Sequence, residues 1–125
     1  MITSSVHLLL ERAIDTPVKL HCVMLFAQRT LTRGTTAQIA TRISRDIWST
    51  KQALDELAEA EILTTLPLDG EPVYEYAPKR YLEEALVLLV EAYNDPMRRV
   101  EVHDYVRELA RYAPYRADFG QPVAM

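Results

Sequence analysis

Five side chains along one stretch have the chemistry to hold a phosphate chain and read base edges: Arg42, Arg45, Ser49, Lys51 and Gln52. Arginine and lysine pair with guanine O6 and N7 or with phosphate oxygens, glutamine pairs with adenine, and serine serves either. Arg29 and Arg33, just upstream, could touch a nucleic-acid backbone. Between Gln28 and Gln52 stand five basic residues and one acidic residue, a local charge of +4 in a chain of net charge −4. The acidic total argues against indiscriminate nucleic-acid binding, but a basic patch on an acidic protein can still face phosphates. The plainer reading is a solvated helix face with ordinary charges. Asp46 and Asp55 flank that face and would repel phosphates if they lay close.

Other reactive residues do not assemble into a site. There is no G-x-S-x-G, no P-loop and no glycine-rich cradle, so no enzyme and no cofactor are expected. His21 and Cys22 are adjacent, His7 and His103 lack partners at ligand spacing, and a structural zinc needs about four ligands. No metal is therefore expected. Trp48, the only tryptophan, could stack on a base or grip a thymine methyl. A tryptophan near a helix start more often packs against a neighbouring helix, and that is the expectation here.

The elements that must position these residues follow from periodicity and punctuation. Ser4 or Ser5 caps a first helix with Val6, Leu9, Leu10 and Ala13 on its apolar face. Thr16-Pro17 starts a second, running to about Arg29 and apolar over much of its circumference. Arg33-Gly34 reads as a loop, and Thr35 or Thr36 caps a short third helix. Ser44 or Asp46 caps a fourth, about 47–60, with Ile47, Thr50, Leu54, Leu57 and Ala58 inward and Arg45, Trp48, Ser49, Lys51, Gln52 and Asp55 outward. Residues 62–66 and 73–76 read as strands around the Asp69-Gly70 turn between Pro67 and Pro72. A fifth helix, 79–94, is apolar nearly all round. A sixth, from Asp95-Pro96 to about Tyr112, carries Met97, Val100, Tyr105, Val106, Leu109 and Ala113 on one side. Pro114 ends it, leaving 114–125 as a loose tail.

Helix, turn, helix, β-hairpin over Pro17 to Pro78 resembles the winged helix-turn-helix domain of prokaryotic transcription regulators. The residues carrying the resemblance are Ile39-Ala40 in the short helix, Ile43-Ser44 in the turn, Ala53-Leu54-Asp55-Glu56-Leu57 in the recognition helix, and Ala60-Glu61-Ile62-Leu63 after it. Glu61 stands where the family usually has glycine, at a residue of positive φ. Asp69 and Glu71 make the wing tip acidic, where a wing tracking phosphates would be basic. The resemblance implies a mainly α fold with a small β-hairpin wing, in which the fourth helix enters the major groove of double-stranded DNA.

A chain of 125 residues fits one domain: a winged core at about 17–78, C-terminal helices at 79–113 and a tail at 114–125. Even an unbroken apolar run such as Ala85 to Val90 is too short to cross a bilayer. The single cysteine and the absence of a basic-then-apolar start at Met1 suggest a cytoplasmic protein with no membrane partner. Helices apolar on all sides need cover, so a homodimer through the terminal helices is expected. The reading is a dimeric, sequence-specific DNA-binding transcription regulator, with a small-molecule effector between the terminal helices and the core left open. The alternative is a winged-helix module for protein–protein interaction that never touches DNA, favoured by the acidic wing and the net charge of −9 over Ala53 to Asp95.

Overall fold

The computed structural model describes residues 2–68 and 70–120. In chain order the elements are α1 (Ser4–Arg12), α2 (Pro17–Ala27), β1 (Arg33–Thr35), α3 (Thr36–Ile43), α4 (Ile47–Glu59), β2 (Leu63–Leu68), β3 (Glu71–Tyr76), α5 (Arg80–Asn94) and α6 (Pro96–Gly120). This is a winged helix-turn-helix, mainly α with a small hairpin wing, carrying additional N- and C-terminal helices.

Side-chain caps set the helix starts. Thr3, Thr16, Thr35 and Asp46 each accept a hydrogen bond from a backbone N–H of the first turn that would otherwise be unpaired. Thr3 caps α1, one residue before the serines expected to do so. At α3 the Gln38 side chain also reaches back to the Thr35 N–H, closing a capping box.

The helix ends use left-handed residues that are not glycine: Arg29 (φ 62°), Ser44 (φ 56°) and Glu61 (φ 69°). After α4 the Glu61 N–H bonds the Ala58 carbonyl and the Ile62 N–H bonds the Leu57 carbonyl, the paired closure of a Schellman motif. Glu61 thus adopts the backbone that glycine would take, and the chain turns directly into β2.

The sheet is larger than expected. Arg33–Thr35 is a strand, not a loop; it pairs antiparallel with β3 and gives the order β1-β3-β2. Three residues are too few to show a period, and the strand exists because β3 offers a free edge. The hairpin also extends through both prolines, which face each other across it. β2 is an edge strand, and Pro72 lies beyond the end of β1, so neither missing N–H breaks a central ladder.

One apolar cluster runs from Ile2 in the N-terminal segment to Val106 on α6, with Leu10, Ile14, Leu20, Phe26, Ile39, Leu54, Leu57, Ile62, Tyr74 and Leu89 fully enclosed. Three expected core positions, Ile47, Met97 and Val100, are exposed. Ile47, at 50%, is the first residue of α4, where no preceding helical turn flanks it. On α6 the buried stripe is Val102 and Val106 with Tyr105 and Leu109 alongside, while Met97 and Val100 face outward. Asp104 and Arg107 stand four and seven residues after Val100, so the stripe begun by Met97 turns polar within two turns. α6 also runs on through Pro114 to Gly120. Proline's fixed φ suits a helix, and the continuation forgoes one backbone hydrogen bond. Residues 121–125 of the expected tail lie outside the described residues.

Candidate nucleic-acid interface

α3 and α4 are held at the turn Ser44-Arg45-Asp46. Left-handed Ser44 ends α3, and the Asp46 carboxylate caps α4 through the Ser49 N–H at 2.8 Å. That backbone hydrogen bond is the main reason the Asp46 carboxyl lies below its ordinary range. Its charge is directed into the helix start, which blunts the repulsion expected of it.

All seven predicted contact residues are exposed, but they do not form one surface. Arg42, in the last turn of α3, and Arg45, in the turn, make no side-chain hydrogen bond or ion pair among the described residues. Arg45 lies near enough to α2 that its charge helps to lower the His21 pKa, behind the larger effect of burial. Ser49 and Gln52 line a shallow groove against Thr16, Val18 and Lys19 of the α2 start.

Lys51 and Gln52 are solvent-accessible yet engaged. Lys51 Nζ donates to Asp55 Oδ2 at 2.9 Å and to the Tyr74 hydroxyl at 3.3 Å, and the Tyr74 hydroxyl donates to Asp55 Oδ1. Tyr74 is fully buried and belongs to β3, so this triad ties the wing to α4. Burial opposes the charge on Asp55, but its bonds to Tyr74 and Lys51 outweigh that and hold its carboxyl low. The Tyr74 phenol is pushed up, first by burial and then by its bond to Asp55.

Gln52 Nε2 donates to Glu56 Oε2 at 3.1 Å, and Glu56 pairs with buried Lys19, which also bonds Asp15 at 2.8 Å. Burial works to lower the Lys19 pKa, but its two carboxylate partners raise it overall. This chain fastens α4 to α2.

Arg29 and Arg33 fall elsewhere. Arg33 sits on β1, its guanidinium 3.9 Å from Glu75. Arg29 lines a cleft of about 580 Å³ between the end of α2, β3 and α5, with Phe26, Tyr76, Glu83 and Val87.

Trp48 overturns the packing expectation. It is 82% exposed, with no ring partner among the described residues. A readable signal was present: Arg45, Lys51 and Gln52 stand at the three- and four-residue steps from Trp48, which puts the indole at the centre of the outward stripe.

Cys22 is buried and its thiol is pushed up to about 12, mainly by desolvation, so it supplies no thiolate near neutral pH. Among the described residues no group of three or more His, Cys, Asp or Glu is placed to hold a metal ion, and no helix is long and apolar enough to cross a membrane.

The class is therefore set by topology, a winged helix-turn-helix whose fourth helix has one free end and one tethered end. No family model and no curated protein matches the chain. Among solved structures it is similar to a chain described as a possible transcriptional regulator from Methanosarcina mazei Go1, with a TM-score of 0.47, 19% identity, and coverage of 72% of this chain and 78% of that one. A likeness that distant leaves the functional reading to the geometry of α4.

Proposed function

We propose that the protein is a sequence-specific DNA-binding transcription regulator that acts as a dimer, with α4 as its recognition helix. The observation that carries this is the pair Arg42 and Arg45. Two guanidinium groups with no hydrogen-bonded or ion-paired carboxylate among the described residues flank the exposed first turn of a helix in a winged helix-turn-helix. Arg42 and Arg45 engage phosphates or guanine edges, and Ser49 contributes a hydroxyl. Lys51 and Gln52 contribute the hydrogen-bonding capacity left over from their bonds to Asp55, Tyr74 and Glu56. Arg29 and Arg33 reach the backbone only if the duplex bends towards the wing.

Dimer formation is supported by apolar side chains exposed on the terminal helices: Leu8 on α1, Tyr81 and Val87 on α5, Met97, Val100 and Tyr112 on α6. Pairing these helices about a two-fold axis would present two copies of α4 to half-sites about 34 Å apart. A small-molecule effector, if one is used, has room in a hollow of about 370 Å³ between α1, α5 and Ala60 at the end of α4.

The test is selection of bound duplexes from a random pool at near-physiological salt. Enrichment of a palindrome supports both the DNA reading and the dimer. No enrichment, or sedimentation as a single 14.3 kDa species at micromolar concentration, counts against the corresponding part.

The second reading, a protein-docking module, draws on the acidic pairing of Lys51 and Gln52 and on Glu71 beside the wing tip. Arg42→Ala/Arg45→Ala separates the two, because it removes phosphate binding and leaves the wing untouched.

A further inference from the structure

Trp48 needs an explanation that the fold does not supply. It is the only tryptophan of the chain, 82% exposed on a rigid helix beside Ile47, itself 50% exposed. A solvated indole contributes nothing to the core, and large exposed apolar groups side by side mark a contact surface.

We infer that Trp48, backed by Ile47, is the specificity-determining contact of the α4 face and seats on thymine C5-methyl groups in the major groove. The inference rests on the DNA-binding reading above and names which base that face selects.

Three observations lead to it. The first is position. Arg45, Lys51 and Gln52 surround Trp48 at three- and four-residue steps, so a duplex meeting those polar groups must meet the indole between them.

The second is what remains free to discriminate. Lys51 is engaged by Asp55 and Tyr74, Gln52 by Glu56, and the Asp46 carboxylate by the Ser49 N–H. Lys51 and Gln52 are thus partly committed to internal bonds that orient them along α4, whereas the apolar surface of Trp48 has no partner to leave. In the major groove the one apolar feature on a base edge is the thymine methyl.

The third is charge. Arg42 and Arg45 border this patch with no carboxylate hydrogen-bonded or ion-paired to either guanidinium among the described residues, although Arg45 feels the charge of the neighbouring Asp46. A duplex places phosphates beside its methyl groups and satisfies both features together.

Trp48 emission is an unambiguous reporter, because no other residue of the chain carries an indole. The experiment uses duplexes enriched by the full-length chain from a random pool, together with copies in which uracil replaces thymine and so removes only the methyl group. On adding the thymine duplex, the emission of wild type is expected to shift and quench. The uracil copy is expected to bind wild type about tenfold more weakly, Trp48→Ala to bind the thymine duplex about tenfold more weakly, and that variant to lose the distinction between the two duplexes. Trp48→Phe should recover part of the preference. An unchanged melting temperature for Trp48→Ala verifies that the fold is intact.

Equal binding of the enriched duplex by Trp48→Ala and wild type, or indifference of wild type to methyl removal, overturns the inference while the DNA reading stands. An emission change driven by protein concentration alone, with none on adding duplex, overturns it in favour of a protein contact at Trp48. Failure to enrich any duplex overturns both readings.

Discussion

The two halves of α4 both present solvent-accessible side chains and behave differently. In and before the first turn, Arg45, Ile47 and Trp48 are exposed and have no side-chain partner among the described residues. One to two turns later, Lys51, Gln52, Asp55 and Glu56 are all polar, and each is bonded to a neighbour on α4, to Tyr74 of β3 or to Lys19 of α2. A charge count makes the later half more acidic but does not say which groups are engaged. The bonding separates a face free to meet a ligand from one that holds the wing and α2 in place.

The contrast is sharpest between a charge reversal in one half and a charge removal in the other. Arg45→Glu should weaken binding of a selected duplex by about 100-fold at moderate salt, since it removes a free cation and adds a repelling charge. Lys51→Ala should change the same affinity by less than about threefold, because that ammonium is already matched by Asp55. Comparable losses in titrations of the two variants would erase the distinction between the halves.

A smaller effect tests the tether. Tyr74→Phe keeps the buried ring and removes the hydroxyl between Lys51 and Asp55, so denaturant unfolding should show a loss of about 1–2 kcal/mol. An unchanged midpoint would mean that the triad does not join β3 to α4 energetically.

The joint after α4 offers a gain. Glu61→Gly relieves a left-handed backbone at an exposed position and should add up to about 1 kcal/mol of stability, read as a raised melting midpoint. A lowered midpoint would instead give weight to the Tyr81 hydroxyl bond to Glu61 at 2.8 Å.

The smallest effect is a pH response behind the free half. Burial lowers the pKa of His21, helped by the charges of Arg45 and His103; burial also lowers that of His103, helped by Arg107 and Arg99 and opposed by Asp104. The two rings stand 6.3 Å apart. The unfolded chain therefore binds these protons more readily than the folded one. The stability they contribute is present above the ordinary histidine pKa of about 6.5 and is lost as pH falls through the lowered values. The melting temperature should drop as pH falls below about 6.5 towards the ordinary carboxylate range, and His103→Asn should flatten that drop. A wild-type melting temperature that is flat across this interval would contradict it.

Much of this was legible along the chain. Thr16-Pro17, Asp46 and the Asp69-Gly70 turn mark element boundaries by local chemistry, and the structure places α2, α4 and the wing accordingly. β1 was not legible, since three residues become a strand only because β3 lies beside them. The Lys51–Tyr74 contact spans 23 positions and has no local signature. The pairs Lys51–Asp55 and Gln52–Glu56 are four residues apart and were readable as helix-surface partners. So was Trp48, whose place on the outward stripe follows from spacing, against the general habit of tryptophan to pack inward.

The most direct measurement is the salt dependence of binding to a selected duplex for wild type and for Arg42→Ala/Arg45→Ala. If the free guanidinium groups meet phosphates, the slope of log affinity against log salt should become shallower by about two in the double variant. An identical slope, or wild type binding no duplex at any salt, would contradict the assignment of α4 as a DNA-reading helix.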